Sequence, residues 1–320
     1  MEPGVYPKLS MRDYLSAPAV NASLLKSIVE RCPQAAWFES WLNPAREREQ
    51  NTATMDAGTI AHSILLEGDT SRVAIIDPQD HPAKTTGAIP EGWTNQSIRA
   101  ARDAAYAAGK LPILKSAFGE IEAMVNSARA FIETVKEDEP AIWRAFQPDG
   151  GESEVSVIWE DDGGVLCRMR PDRIATDRKL IIDYKTGDTT AEPNTWGRSQ
   201  MIRMGYYTAA AFYRRGVKRM FKTDCDYIFL VQECKPPYLC SLVGVDKTGF
   251  AIGGAKIDHG LRLWSRCNHM QMWPAYPSRV CYPEIPPWEV ARWEETEALG
   301  IPYDPAMLFE RRDQADANAR

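Results

Sequence analysis

The chain has 320 residues, 44% hydrophobic and 26% charged, the make-up of an ordinary globular protein long enough to build a core without staples. A net charge of −6 argues against indiscriminate binding to nucleic acid, and no apolar run is long enough to cross a bilayer. Seven cysteines, an odd number, and the polar opening "MEPGVYPKLSMRDYLSAP" fit a reducing cytoplasm rather than a secreted disulfide framework. The charge is unevenly spread: residues 164–222 hold thirteen Lys/Arg and five Asp/Glu, while the rest holds 25 basic and 39 acidic residues. Such a segment suits a polyanion bound at one place, or else a solvated basic helix face.

In chain order, the first forty residues read as loop and then helix, with Asn21 or Ser23 as N-cap of "NASLLKSIVERCPQAAWFESWLN" and a break at Pro33. "REREQNTATMDAGTIAHSILLEGD" starts polar and gives a short helix carrying His62, which Gly68 stops. Residues 77–95 are rich in Pro and Gly and predict a loop, and alanine-rich helical patterns fill 95–139. A β-rich block follows, with strands "SEVSVIWE", "GVLCRMRPDRIA" and "KLIIDYK" separated by "DDGG" and "TDRK". Residues 194–215 return to helix, "DYIFLVQE" and "LCSLVGV" predict two more strands, and a last helix spans about 247–271. A Pro- and Trp-rich tail follows, and the last eight residues are expected to fray. The order implies one α/β or α+β domain over 1–320, with a mixed central sheet. Its parts are a helical region to about 140, a sheet core over about 150–245, and a C-terminal helix and tail from 246.

Two carboxylates and a lysine stand out in "GGVLCRMRPDRIATDRKLIIDYKTGDT". Asp172 ends or kinks one strand after Pro171, and Asp183 ends the next. If the strands pair across the "ATDRK" turn, both carboxylates converge, a donor set that suits Mg²⁺ or Mn²⁺. Asp183 and Lys185, two apart on a strand, share a face, so the lysine is placed to orient or deprotonate a water and to neutralise charge on phosphorus. Tyr184 points the other way, into the core.

"RPDRI…IIDYKTG" resembles the PD-(D/E)XK nuclease signature, and the block "ESEVSVIWEDDGGVLCRMRPDRIATDRKLIIDYKTGD" resembles RecE-type exonucleases (exodeoxyribonuclease VIII). "DAGTIAHSILLEGD", "ASLLKSIVERCPQAAW" and the "WPAY" and "IPPW" tail resemble other parts of the same family, leaving out a variable stretch near 77–150. The resemblance implies metal ligation by His62, Glu154 (with Glu152 as fallback), Asp172, Asp183 and the Tyr184 carbonyl, with Lys185 as catalytic lysine. It implies digestion of linear double-stranded DNA from 5′ to 3′, a ring of three or four copies, a 5′-phosphate pocket with Lys26 and Arg31 as candidates, and a single-strand annealing protein as partner. An endonuclease or single-strand nuclease, or an inactive DNA-binding scaffold, are the alternatives. The family's Gln-x-x-x-Tyr helix motif is broken, because Ala209 stands four before Tyr213. At about 100° per residue, Gln200, Arg203 and Tyr207 share a helix face, so Gln200 or Arg203 with Tyr207 is the expected DNA-binding substitute, with Tyr206 and Tyr213 packing opposite.

Other signals are weaker. Cys32, Cys234, Cys240, Cys267 and Cys281 lack a tight C-x-x-C pair, so core burial rather than an iron–sulfur cluster is expected. "GFAIGGAK" lacks the context of a phosphate loop and reads as a turn. Trp196, ahead of the basic helix, is a candidate for touching DNA.

Overall fold

The computed structural model describes residues 1–46 and 53–298, with side chains at all but 53–57. The polar lead-in at 47–52 and the expected fraying of the last eight residues lie outside the described residues. The first part of the chain runs β1 (Gly4–Tyr6), α1 (Met11–Ser16), α2 (Ala22–Glu30), α3 (Pro33–Glu39), α4 (Ala53–His62), β2 (Val73–Ile76), α5 (Gln96–Ala107), β3 (Leu111–Leu114), α6 (Lys115–Thr134) and α7 (Pro140–Ala145). Next come β4 (Gly151–Ser153), β5 (Ser156–Glu160), β6 (Leu166–Met169), β7 (Arg173–Ala175) and β8 (Leu180–Gly187). The remainder is α8 (Pro193–Trp196), α9 (Ile202–Met204), α10 (Tyr206–Phe221), β9 (Asp226–Glu233), β10 (Cys240–Gly244), α11 (Lys247–Met270) and α12 (Pro287–Ala298). Two units are distinguished, Met1–Ala275 and Tyr276–Arg320. Among the described residues of the second, α12 buries no side chain.

Local chemistry sets the helix ends. Asn21 caps α2 by accepting the Leu24 N–H at 2.9 Å, and Pro33 opens α3, where a missing N–H costs nothing. A π-turn, Ser63–Glu67, continues α4 and stops at Gly68, which takes φ 66°. β1, α1 and the parallel pair β2–β3 were not predicted; each is short, and residues 111–114 carry a proline that masked the strand.

The main sheet is mixed, in the order β10-β9-β8-β7-β4, with only β8 and β9 parallel. A second sheet has the order β1-β5-β6. The strands expected over 153–160 and 164–175 are therefore each divided between two sheets. Ser153 pairs with Arg173 and Val157 with Met169, so the register is kept across the break. Between them Pro171 has no N–H for the ladder and Glu154 takes φ 56°, leaving the Glu154 N–H to the Asp172 carbonyl at 3.3 Å.

One core, with Ile181, Phe229 and Phe212, lies toward α2, α10 and α11; the other, with Ile182, Tyr184 and Leu230, lies toward α4, α6 and α7. "GFAIGGAK" is not a turn but part of α11. A Cβ on Gly253 would meet the Tyr207 carbonyl at 2.9 Å, so glycine is what lets α11 press on α10. Cys32 and Cys267 are buried as expected, but Cys234 and Cys281 are exposed. Trp196 is buried against Tyr206 and Phe229 rather than facing solvent. Among the described residues no helix is long and apolar enough to cross a membrane.

Asp161 ties the second sheet to α10. It accepts from Trp159 Nε1 at 3.0 Å and from Arg215 Nε at 2.8 Å, and its side chain is fully enclosed. Burial pushes its pKa up, but Arg215 and the Trp159 N–H more than offset this and hold it below the usual carboxylate range. Asp161→Asn should cost about 3 kcal/mol in urea unfolding at pH 7, because Arg215 is left without its main partner. With the folded pKa depressed, the stabilisation is present above the unfolded value and lost as pH falls through the folded one. The gap between wild type and variant should close on acidification.

Candidate active site

β8 runs between the two cores, and its alternation decides what faces where. Leu180, Ile182 and Tyr184 belong to the α4/α6 core, so Ile181, Asp183 and Lys185 take the other face. Tyr184 is wholly buried and its hydroxyl bonds Gln232 on β9. Lys185 Nζ contacts Asp183 Oδ1, while the Tyr227 hydroxyl donates to Asp183 Oδ2 at 2.6 Å. Asp172 enters from the break in the hairpin and accepts the Tyr184 N–H at 2.9 Å. The two carboxylates lie within hydrogen-bonding reach of each other. His62, at the end of α4, places Nδ1 3.6 Å from Asp172 Oδ2, approaches the Tyr184 main chain, and packs with its ring tilted 36° and 4.9 Å from the Tyr184 ring.

The electrostatics follow from burial. Asp172 is raised well above the usual carboxylate range, first by burial and then by Asp183. Burial also works to raise Asp183, but Lys185 and the Tyr227 hydroxyl outweigh it and hold Asp183 low. Burial opposes the charge on Lys185, yet Asp183 and Asp172 overcome that and keep it cationic. His62 is lowered to about 4 by burial and by Lys185, so its imidazole is neutral near pH 7.

Other expected site residues lie elsewhere or are engaged. Glu154 sits at the rim, close enough for Asp172 to sense its charge, but its carboxylate bonds Arg170 Nε at 2.6 Å. Glu152, the fallback, is ion-paired with Arg178, and the left-handed backbone at Glu154 separates it from the strand alternation beyond. The shared helix face of Gln200, Arg203 and Tyr207 does not form. A π-turn spans 197–201 and Gly205 takes φ 67°, so the helix is interrupted before Tyr207. Gln200 and Arg203 still touch at 2.7 Å, whereas Tyr207 lies under Lys256. Tyr206, assigned to packing, lies beside the site, with Lys185 Nζ 5.2 Å from its ring. Lys26 donates to the Met204 carbonyl at 2.8 Å and Arg31 pairs with Glu39, so both are engaged within the chain. Sequence reasoning missed Tyr227 and Arg170. Arg170 directly precedes the Pro-Asp pair, but nothing local marks Tyr227, which reaches Asp183 only through the pairing of β8 with β9.

Among the described residues, no three His, Cys, Asp or Glu side chains form a ready cage for an ion. The donors at hand nevertheless fit a hard divalent cation: two carboxylates, a peptide carbonyl at Tyr184 and a neutral imidazole. That burial and the Asp183 charge together push Asp172 up is itself a sign of a place where added positive charge is favoured.

The sequence matches the PDDEXK-like domain of unknown function (DUF3799) over residues 21–283. No curated protein matches it. A crystal structure of a provisionally named exonuclease from Eubacterium rectale superposes with a TM-score of 0.53 at 13% identity, covering 88% of this chain and 98% of its own, and shows the shared fold. An alkaline exonuclease from Laribacter hongkongensis covers 43% of this chain and 70% of its own at 14% identity, with a TM-score of 0.24.

The His62 ring should titrate near pH 4 in an imidazole NMR titration. Lys185→Met should move that midpoint up, while burial keeps it below the ordinary value. A wild-type midpoint at 6.5 would mean that the ring is not enclosed as described.

Proposed function

The chain belongs to the family of PDDEXK-like domains, and on that premise we propose that it is a metal-dependent exodeoxyribonuclease. It digests linear double-stranded DNA from the 5′ end and leaves a 3′ single-stranded overhang for recombination. The observation that carries this reading is the placing of Asp172, Asp183, Lys185 and His62 around the paired ends of β7 and β8. Asp172, Asp183, the Tyr184 carbonyl and His62 would hold Mg²⁺ or Mn²⁺, and Glu154 stands at the rim as a further acid. When bound, such an ion supplies Lewis-acid polarisation of the phosphate and lowers the pKa of a water.

The chain's own residues do the rest. Lys185 is kept protonated by its carboxylate neighbours, so it acts as a cation that neutralises charge building on the phosphate oxygens. This narrows the sequence reading, in which it was also a base. The Tyr227 hydroxyl and the Tyr184 N–H each fix one carboxylate, so that their remaining lone pairs are aimed. Neutral His62 offers a nitrogen without adding repulsion between cations. A ring of three or four copies, a single-strand annealing protein as recipient of the overhang, and a cytoplasmic setting in a bacterium or its phage belong to the same reading. The resemblance to RecE-type enzymes supports them.

The test uses linear and covalently closed circular duplex DNA, with Mg²⁺ or EDTA, and substrates labelled at one 5′ or one 3′ end. Wild type should consume only linear DNA, release the 5′ label first, and stop in EDTA. Lys185→Ala should lower the rate by about a hundredfold to a thousandfold. Cutting of closed circles would replace the exonuclease with an endonuclease, and a wild type as inert as the variant would leave only the scaffold.

A further inference from the structure

We propose that the C-terminal halves of α10 and α11 form a track for the phosphate backbone of double-stranded DNA, apart from the carboxylate site; the proposal rests on the nuclease reading. Two contiguous grooves of about 770 and 570 Å³ lie along these helices and share Asp162, Arg215 and Asp258 in their walls. Arg214, Lys218, Arg219 and Lys222 line the first, and Arg262 and Arg266 line the second.

The acids in the grooves are already engaged. Asp258 bonds Arg215, Asp162 pairs with Arg219 at 2.6 Å, and Asp224 pairs with Lys218 at 2.8 Å. Arg214, Lys222, Arg262 and Arg266 make no ion pair with any described residue. The surface is therefore left with an excess of positive charge inside a protein whose total is −6.

Compensation of helix dipoles could account for Lys222, the C-cap of α10, but not for all of them. That effect is confined to the last turn, whereas Arg214 and Arg262 lie about two turns in from the ends of α10 and α11. Nor is the arrangement loose. The Arg214 guanidinium lies 4.1 Å from the Phe250 ring centroid, which holds the group while leaving its N–H edge free. Arg262 and Arg266 are exposed and four residues apart, so they project from one face of α11.

The position of α10 connects the track to the chemistry. Its first residue, Tyr206, has its ring 5.2 Å from Lys185 Nζ. At 1.5 Å per residue, Arg214 to Lys222 lie about 12 to 24 Å along the helix from that point. One turn of duplex, about 34 Å, is long enough to reach both. A duplex whose end lies at the carboxylates would thus have its uncut part held by cations that read no sequence, as successive cuts on any sequence require.

The test measures binding of a fluorescent 30-base-pair duplex by anisotropy from 50 to 200 mM salt without divalent ions, on the Lys185→Ala background so that nothing is cut. Adding Arg262→Glu and Arg266→Glu should weaken binding about tenfold and lower the salt slope by about two, one per lost phosphate contact. Arg262→Lys with Arg266→Lys should keep the slope. Lys222→Glu, outside both helices' packed faces, should weaken binding in the same direction. Affinity and slope unchanged in the reversal variants would overturn the track. Wild-type cleavage is measured in parallel with Mg²⁺. A wild type that cuts while the reversals bind normally removes the track alone, and a wild type that neither binds nor cuts DNA removes the nuclease reading with it.

Discussion

Two carboxylates in a largely enclosed site repel each other, and the environment must answer that repulsion with positive charge or a proton. At Asp183 it answers with Lys185, which sits on the carboxylate and holds it low, while Asp172 is left raised by burial and by its neighbour's charge. The Tyr227 hydroxyl and the Tyr184 N–H give the remaining oxygens fixed partners. Much of the surrounding structure can be understood as what holds this pair face to face. The alternation of β8 puts Asp183 beside Lys185, and the proline in the hairpin frees Asp172 from the ladder to meet them. Both helical segments that approach the site, after His62 and after Trp196, contain a π-turn, a device that re-aims side chains locally.

The basic segment seen in the sequence has two different uses in the fold. Arg168 is 1% exposed and donates to the carbonyls of Tyr14 and Ala17, which straps the N-terminal segment onto the second sheet. Arg173 is nearly as enclosed and gathers the carbonyls of Leu66, Ala145 and Gln147, joining the turn after α4 to α7 and β7. Burial lowers the pKa of both guanidinium groups; backbone carbonyls take hydrogens from each without any carboxylate, although the buried Arg168 Nε finds no partner. Arg170 holds Glu154 and the Leu9 carbonyl in the same manner. These charges are internal struts. Those on the outer half of α10 remain at the surface.

α10 links these regions because it is clamped on two sides by glycines. A Cβ on Gly216 would approach Met169 Sδ to 2.8 Å and the Trp159 ring to 2.9 Å, so only glycine lets the helix seat against β5 and β6. Gly253 does the same for α11 on the opposite side. A helix fixed so closely transmits position well: its start lies next to Lys185, and its C-terminal half carries a row of cations, of which Arg214 makes no ion pair with any described residue. Gly205, with its left-handed backbone, lets that start turn away from the preceding π-turn.

Local chemistry made much of this legible without any structure. Period-two patterning placed Asp183, Tyr184 and Lys185 on their proper faces, the Pro-Asp pair marked the partner carboxylate, and the Gly after "SILLE" marked the end of the helix carrying His62. These features depend on neighbours a few residues away, which a sequence shows directly. Tertiary structure alone decided the rest. Tyr227 meets Asp183 because β8 and β9 pair in parallel, and Glu154 meets Arg170 at the rim of the site, where the hairpin changes sheets. The helix face expected to carry Gln200, Arg203 and Tyr207 failed at Gly205, where a glycine read as an ordinary helical residue takes a left-handed turn. Whether an arginine in the basic segment is strut or surface depended on which carbonyls the folded chain brought to it, and no local pattern records that.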